Sequence, residues 1–288
     1  MHNDTADAMK NSKHLMQTSK TLINKEEEKL KCLKDLSPPC TFEKDEISTG
    51  LCYSLLYKDI KYCKGNSECI ILYANKTKEI NSCDFISENE LAKKYACKAL
   101  AKDNPIECKF SNISSTSDYC FEIVAKNLND KNICDYATKG SIYANKCYKD
   151  FAIKNNDIGL CVKLEPETER DRCYSEYSIA TGEYTACEKI YSSVVRLECY
   201  YKTAIQKLRI DACNKLNYQA KTNCYNNVLN SNKKIQSLEM CNQISEEEKE
   251  YWLAKCYLKY ALDNNDITAC ALIEKEEYKQ QCYNALEK

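Results

Sequence analysis

The spacing of 21 cysteines constrains this chain of 288 residues more than any other feature. They are spread evenly, and the closest two are Cys63 and Cys69. No CxxC, CxxxC or CxxCH occurs, so the spacings of zinc ribbons, thioredoxin-type centres and haem attachment are missing. The only histidines are His2 and His14, both near the start. Disulfides are therefore expected in place of a metal store, and no cofactor or metal is expected. Disulfides on this scale imply an oxidising compartment. The cytoplasm of a hyperthermophile is the alternative, and the many asparagines argue against it.

The cysteines alternate between two kinds. The first sits in D-I-x-x-C-x-x-I/L: Asp59-Ile60 precedes Cys63, Glu79-Ile80 precedes Cys83, Asp157-Ile158 precedes Cys161 and Asp266-Ile267 precedes Cys270. Ser237-Leu238 before Cys241 and Asn104-Pro105 before Cys108 follow the same grammar. A capping side chain that accepts orphan N–H groups, followed by Ile or Pro, reads as a helix start. Three residues beyond the cysteine stands Ile86, Leu164, Ile190, Leu216, Ile244 or Ile273. Positions −3, 0 and +3 share a face, which predicts a short helix of about two turns.

The second kind opens C-Y-x-x-φ-A-I, with φ apolar or aromatic, as in Cys147-Tyr148 followed by Phe151-Ala152-Ile153. Its offsets mark one face of a longer helix, and the small residue at +5 allows close approach by a neighbour. Capping boxes are expected at Ser87-x-x-Glu90 and Ser245-x-x-Glu248. Each unit is thus a short helix, a tight turn and a longer helix, repeating about every 26 residues. A unit this small cannot bury its own apolar face, so units must stack. The predicted fold is all-α, a disulfide-stapled α/α-hairpin solenoid of about ten repeats. Residues 1–36 form a separate amphipathic helical segment, and 37–288 a single repeat domain.

Bonded cysteines need Cα atoms about 4.4–6.8 Å apart. Joining Cys161 to Cys173 across the turn at Pro166 leaves a height mismatch of about 4 Å, against about 6 Å for Cys147 to Cys161. The expected bonds are Cys40–Cys52, Cys63–Cys69, Cys83–Cys97, Cys108–Cys120, Cys134–Cys147, Cys161–Cys173, Cys187–Cys199, Cys213–Cys224, Cys241–Cys256 and Cys270–Cys282. Cys241–Cys256 fits least well, since its long helix has gained about one turn. Cys32 is left over, either as a free thiol or bonded to a second chain.

The unit resembles the cysteine-paired Sel1-like and TPR-like α-hairpin repeats, although its repeat is shorter and lacks their turn glycines. That resemblance implies a protein-interaction scaffold and transfers no binding residue.

Charge and motifs narrow the function further. With 42 basic and 43 acidic residues, the net charge is −1, and no basic stripe marks a nucleic-acid surface. The longest apolar run, Cys69–Ala74, is far too short to span a membrane. The first residues lack the apolar core of a secretory signal, so export implies that a signal or anchor has been removed. No GxSxG, P-loop, HExxH or GxGxxG is present, and the protein is not read as an enzyme. Met9, Met16, Ile23 and Leu30 recur every seven residues, as a cap on the first hairpin or as a homodimer helix. Of 22 tyrosines, seven directly follow a second-kind cysteine and are expected to pack between hairpins. Tyr136, Tyr143, Tyr184 and Tyr191 are candidates for an exposed groove. Asn3, Asn75 and Asn112 head possible glycosylation triplets. The function expected is an extracytoplasmic scaffold for a protein or glycan partner. The alternative is a self-assembling subunit of a cell-surface layer, sheath or filament.

Overall fold

The structure, a computed structural model, describes residues 45–244 and 249–287. Cys32, Cys40, Asn3, the Met9–Leu30 stripe and the Ser245–Glu248 box lie outside the described residues, and so does one half of the expected Cys40–Cys52 bond. The chain divides into two compact units, Met1–Thr138 and Lys139–Lys288.

Ten long helices run through the described residues, and no strand is found there. In the first unit these are α1 (Glu46–Tyr57), α2 (Ser67–Thr77), α3 (Leu91–Ala101) and α4 (Ser114–Leu128). The second unit holds α5 (Ile142–Lys154), α6 (Glu167–Thr181), α7 (Ser193–Lys207), α8 (Tyr218–Leu229), α9 (Lys249–Asn264) and α10 (Glu276–Leu286). Within each unit consecutive long helices pack on one another. A short helix precedes every long one from α2 onward: Ile60–Cys63, Ile80–Phe85, Pro105–Phe110 and Lys131–Tyr136, then Ile158–Lys163, Tyr184–Lys189, Ile210–Cys213, Leu238–Cys241 and Ile267–Leu272. Each unit is therefore a nearest-neighbour stack of hairpins, the organisation that the repeat requires.

Seven of these nine short helices are 3₁₀, not α. The period-three motif explains this, because at three residues per turn positions 0 and +3 eclipse. Cysteine and its +3 partner are accordingly buried, as in Cys161 with Leu164 and Cys270 with Ile273. The −3 residue departs from expectation at some repeats: Ile80 and Ile267 are exposed there, whereas Ile210 is fully buried. The third buried position is instead −1, filled by Ser82, Ile133, Leu160, Ala186, Ala212 and Ala269.

Turns between hairpins need a left-handed residue, yet only Gly182 supplies a glycine for one. Lys58, Lys78, Asp103, Asn129, Asn156, Leu208 and Asn265 adopt positive φ in its place. Each is followed directly by the residue that starts the next short helix, such as Asp59, Asp130 or Asp266. The N–H of that residue reaches back five positions to a helix carbonyl: Asp130 to Ala125, Asp157 to Ala152, Arg209 to Ala204 and Asp266 to Ala261, at 2.9–3.0 Å. This is the 6→1 bond of a Schellman closure, and it satisfies a carbonyl that the helix end would otherwise orphan. The alanines concerned are the predicted small +5 residues, and all four are fully buried.

The capping box at Ser87 is only half made. Ser87 Oγ accepts from Asn89 N–H at 3.3 Å, while Glu90 turns to Lys93 Nζ at 2.7 Å.

The stapled repeat and its candidate interaction surface

Eight disulfides join the expected partners in the described residues, each between a short helix and the long helix that follows it. Cys134 and Cys147 are also disulfide-bonded. Sequence separation among the eight varies from 6 to 15, but the Cα–Cα distance stays between 5.5 and 5.8 Å. Even Cys241–Cys256, the least favourable by helix length, closes at 5.6 Å. The competing phasing is excluded, since Cys173 bonds Cys161 and Cys187 bonds Cys199. A 3₁₀ arm rises about 2.0 Å per residue, compared with 1.5 Å for an α-helix, which brings the two cysteines nearer in height. The sixteen sulfur-bearing residues are buried throughout.

A second connection links successive hairpins. Two residues before four of the second-kind cysteines, the buried polar side chains of Ser67, Asp118, Asn145 and Asp171 point toward the next hairpin. In the first unit, Thr138 N–H donates to Asp118 Oδ1 at 2.7 Å, and Ser67 Oγ donates to Glu90 Oε1 at 3.3 Å. In the second, Asn145 accepts from Glu165 N–H at 3.1 Å and donates to Glu165 O at 2.5 Å. Asp171 accepts from Tyr191 N–H at 2.8 Å and from Ser192 N–H at 3.0 Å. Each such residue satisfies the loop of the following hairpin about 20 positions later, so neighbours are held in register by buried hydrogen bonds as well as by packing. A polar residue recurring on an otherwise apolar face was the available signal.

Tyrosines divide as their positions imply. Tyr148, Tyr174, Tyr200 and Tyr225 follow their cysteines into the interior, whereas Tyr53, Tyr257 and Tyr283 are half-buried. Burial raises the Tyr174 and Tyr200 phenols above the ordinary range. Two further tyrosines serve the turns. Tyr73 donates to Glu79 at 3.1 Å, and Tyr177 donates to Glu183 at 3.0 Å, with its hydroxyl also 2.7 Å from Asn156 Oδ1. Burial, then the Glu183 hydrogen bond, pushes Tyr177 up to about 12. Among the four groove candidates, Tyr136 and Tyr191 are exposed, and Tyr143 and Tyr184 are half-buried. Tyr184 carries Arg209 over its ring at 5.1 Å and lies beside Tyr200, so it belongs to the packed body.

The exposed aromatic side chains follow the repeat in the first unit. Phe85, Phe110 and Tyr136 each stand two residues after a first-kind cysteine, at the end of a short helix, and are about half-exposed or more. Lys109 reaches the Tyr136 ring at 5.7 Å, which places the last two of these short helices side by side. Beneath them Phe121 supports Tyr136 with ring centroids 5.6 Å apart.

Of the possible glycosylation sites, Asn112 is exposed in the loop before α4, whereas Asn75 is half-buried in the last turn of α2, with Lys78 donating to its Oδ1 at 3.3 Å. Among the described residues, no group of three His, Cys, Asp or Glu side chains is arranged to hold a metal ion, and no helix is long and apolar enough to cross a membrane.

These features define an all-α protein of disulfide-stapled helical hairpins. Comparison of the chain with known protein families, curated proteins and solved structures finds no match.

Proposed function

We propose that the protein is a non-catalytic, extracytoplasmic helical-repeat scaffold that binds a protein or glycan partner. The observation that carries this reading is the periodic exposure of Phe85, Phe110 and Tyr136. Their own hairpins are closed by buried cysteines, so these rings are not needed to complete a core. Exposed aromatics in regular register are the side chains from which interface hot spots are made. Staples within single hairpins suit an oxidising, protease-rich setting, because each hairpin is held shut independently of its neighbours. The likeness of the unit to Sel1-like and TPR-like repeats points the same way.

The test is saturable binding of labelled protein to intact cells or to their extracellular matrix. Wild type is compared with the Phe85→Ser/Phe110→Ser/Tyr136→Ser variant, which is expected to lose binding at least tenfold while keeping its helical circular dichroism. Equal binding by the two proteins contradicts the assignment of this face. Filaments or sheets in negative stain, with wild type eluting as a polymer, favour the structural-subunit reading instead.

A further inference from the structure

A separate feature of the first unit has the properties of a small-molecule site. α1 and the turn after Cys63 border a half-open cleft of about 760 Å³, within the size range of ligand pockets. One wall is made of Tyr53, Tyr57 and Tyr62. The Tyr53 and Tyr57 rings are nearly parallel, 10° apart with centroids at 6.1 Å, and Tyr62 lies 5.2 Å from Tyr57. Rings this close leave no room for a cation between them, so they form a platform and not a cage. Tyr57 and Tyr62 are 58% and 41% exposed. The platform depends on Gly50, where a Cβ would stand 2.8 Å from the Tyr62 carbonyl oxygen. Only glycine lets α1 approach closely enough to bring Tyr62 beside the other two rings.

The polar rim is uncommitted. No described residue forms a hydrogen bond or ion pair with the side chains of Glu46, Thr49 or Lys64, all of which line the cavity. Asn66 uses its Oδ1 to cap the N–H groups of Glu68 and Cys69, at 3.0 and 3.1 Å, leaving its Nδ2 donors to face outward. One carboxylate and one ammonium cancel, so the rim favours a neutral ligand that both donates and accepts.

We propose that this cavity binds a neutral saccharide, with the C–H face of a pyranose ring stacked on Tyr57 and Tyr62. Sugar hydroxyls then donate to Glu46 and accept from Lys64 and Asn66. A proline-rich peptide also stacks on tyrosine, but proline lacks the N–H that Glu46 would accept. The proposal rests on the scaffold reading and names one ligand class for it.

The experiment is saturation-transfer NMR on the full chain with cellotriose, mannotriose and chitotriose as probes. The expected result is saturation of ring C–H protons in at least one trisaccharide, with binding weakened at least tenfold in Tyr57→Ala and in Tyr62→Ala. Both side chains are exposed, so these variants should retain the melting temperature of wild type. Phe110→Ala, remote in sequence from the cavity, should leave the transfer unchanged. The proposal is overturned if no trisaccharide receives saturation, or if transfer persists in both tyrosine variants. Binding of decaproline in place of the sugars overturns it too. The cell-binding test reads Phe85, Phe110 and Tyr136, so failure here is distinguishable from failure of the scaffold reading.

Discussion

The two units carry the same staple but differ at one position on their surface. Two residues after the first-kind cysteine, the first unit places Gly65 in its shortened hairpin and then Phe85, Phe110 and Tyr136. The second unit has Lys163, Lys189, Lys215 and Gln243 at that position, all exposed, and returns to an apolar residue only at Leu272. The disulfide Cα–Cα distances are the same within 0.3 Å across both groups. The identity of this residue therefore has no bearing on closing the hairpin. What the repeat requires lies inside, at −1, 0 and +3 of the short helix and at the cysteine and +5 of the long one. The outer edge is free to vary, and in the first unit it has varied toward aromatics.

The largest effect should come from what the units share. Replacing Cys108 and Cys120 together by Ala, or Cys187 and Cys199 together, is expected to cost about 3 kcal/mol each, from loops of matched length. Chemical denaturation of the two double variants should give similar losses. A loss confined to one unit would break the claim that both rest on the same device.

Next comes the buried connection between hairpins. Asp171→Ala leaves two loop N–H groups without their acceptor, and Asp118→Ala leaves one. Losses of about 1–3 kcal/mol are expected, with Asp171 at the upper end. Equal and negligible effects would show that packing alone keeps the hairpins in register.

The surface difference itself should hardly affect stability. Exchanging the edge, with Phe110→Lys in the first unit and Lys189→Phe in the second, should change stability by no more than about 0.5 kcal/mol each. Thermal melts check this, and a large drop in either variant would mean that the aromatic edge belongs to the core after all.

A last effect is electrostatic and is confined to alkaline pH. The Tyr177 phenol is held up to about 12 by burial and by Glu183, against an ordinary value of 10.0. A phenol whose proton is retained in the folded state contributes stability that is complete below pH 10 and lost as the pH rises toward 12. Alkaline absorbance titration of wild type and Tyr177→Phe should differ by one late-ionising tyrosine. A difference centred near 10 would contradict the buried hydrogen bond to Glu183.

Much of this architecture was legible in the cysteines, because a disulfide fixes two Cα atoms to within a few ångströms and so converts spacing into topology. The +5 alanines were legible for a similar reason, as a small residue at a fixed offset signals close approach. The 3₁₀ character was less so: a motif of period three is compatible with one face of a short α-helix as well. The turns were hidden because Lys58, Leu208 and Asn265 take a conformation usually left to glycine. Their positions are set by the Schellman closure and the cap that follows, not by their own preference. The roles of Asp118 and Asp171 were also obscured, since an aspartate in a charged helix reads as solvent-facing until its partner some 20 residues later is known. The aromatic edge and the Tyr53–Tyr57–Tyr62 platform could not be separated from the other tyrosines, because exposure depends on how hairpins stack.

Eight of the described hairpins are closed within themselves, each by a bond from its short helix to its own long helix. Peptide mapping under non-reducing conditions tests this most directly. Linked peptides containing Cys161 with Cys173 and Cys187 with Cys199 are expected. Recovery of Cys147 with Cys161 and of Cys173 with Cys187 would contradict it, because the staples would then join successive hairpins and the chain would not be built from independently closed units.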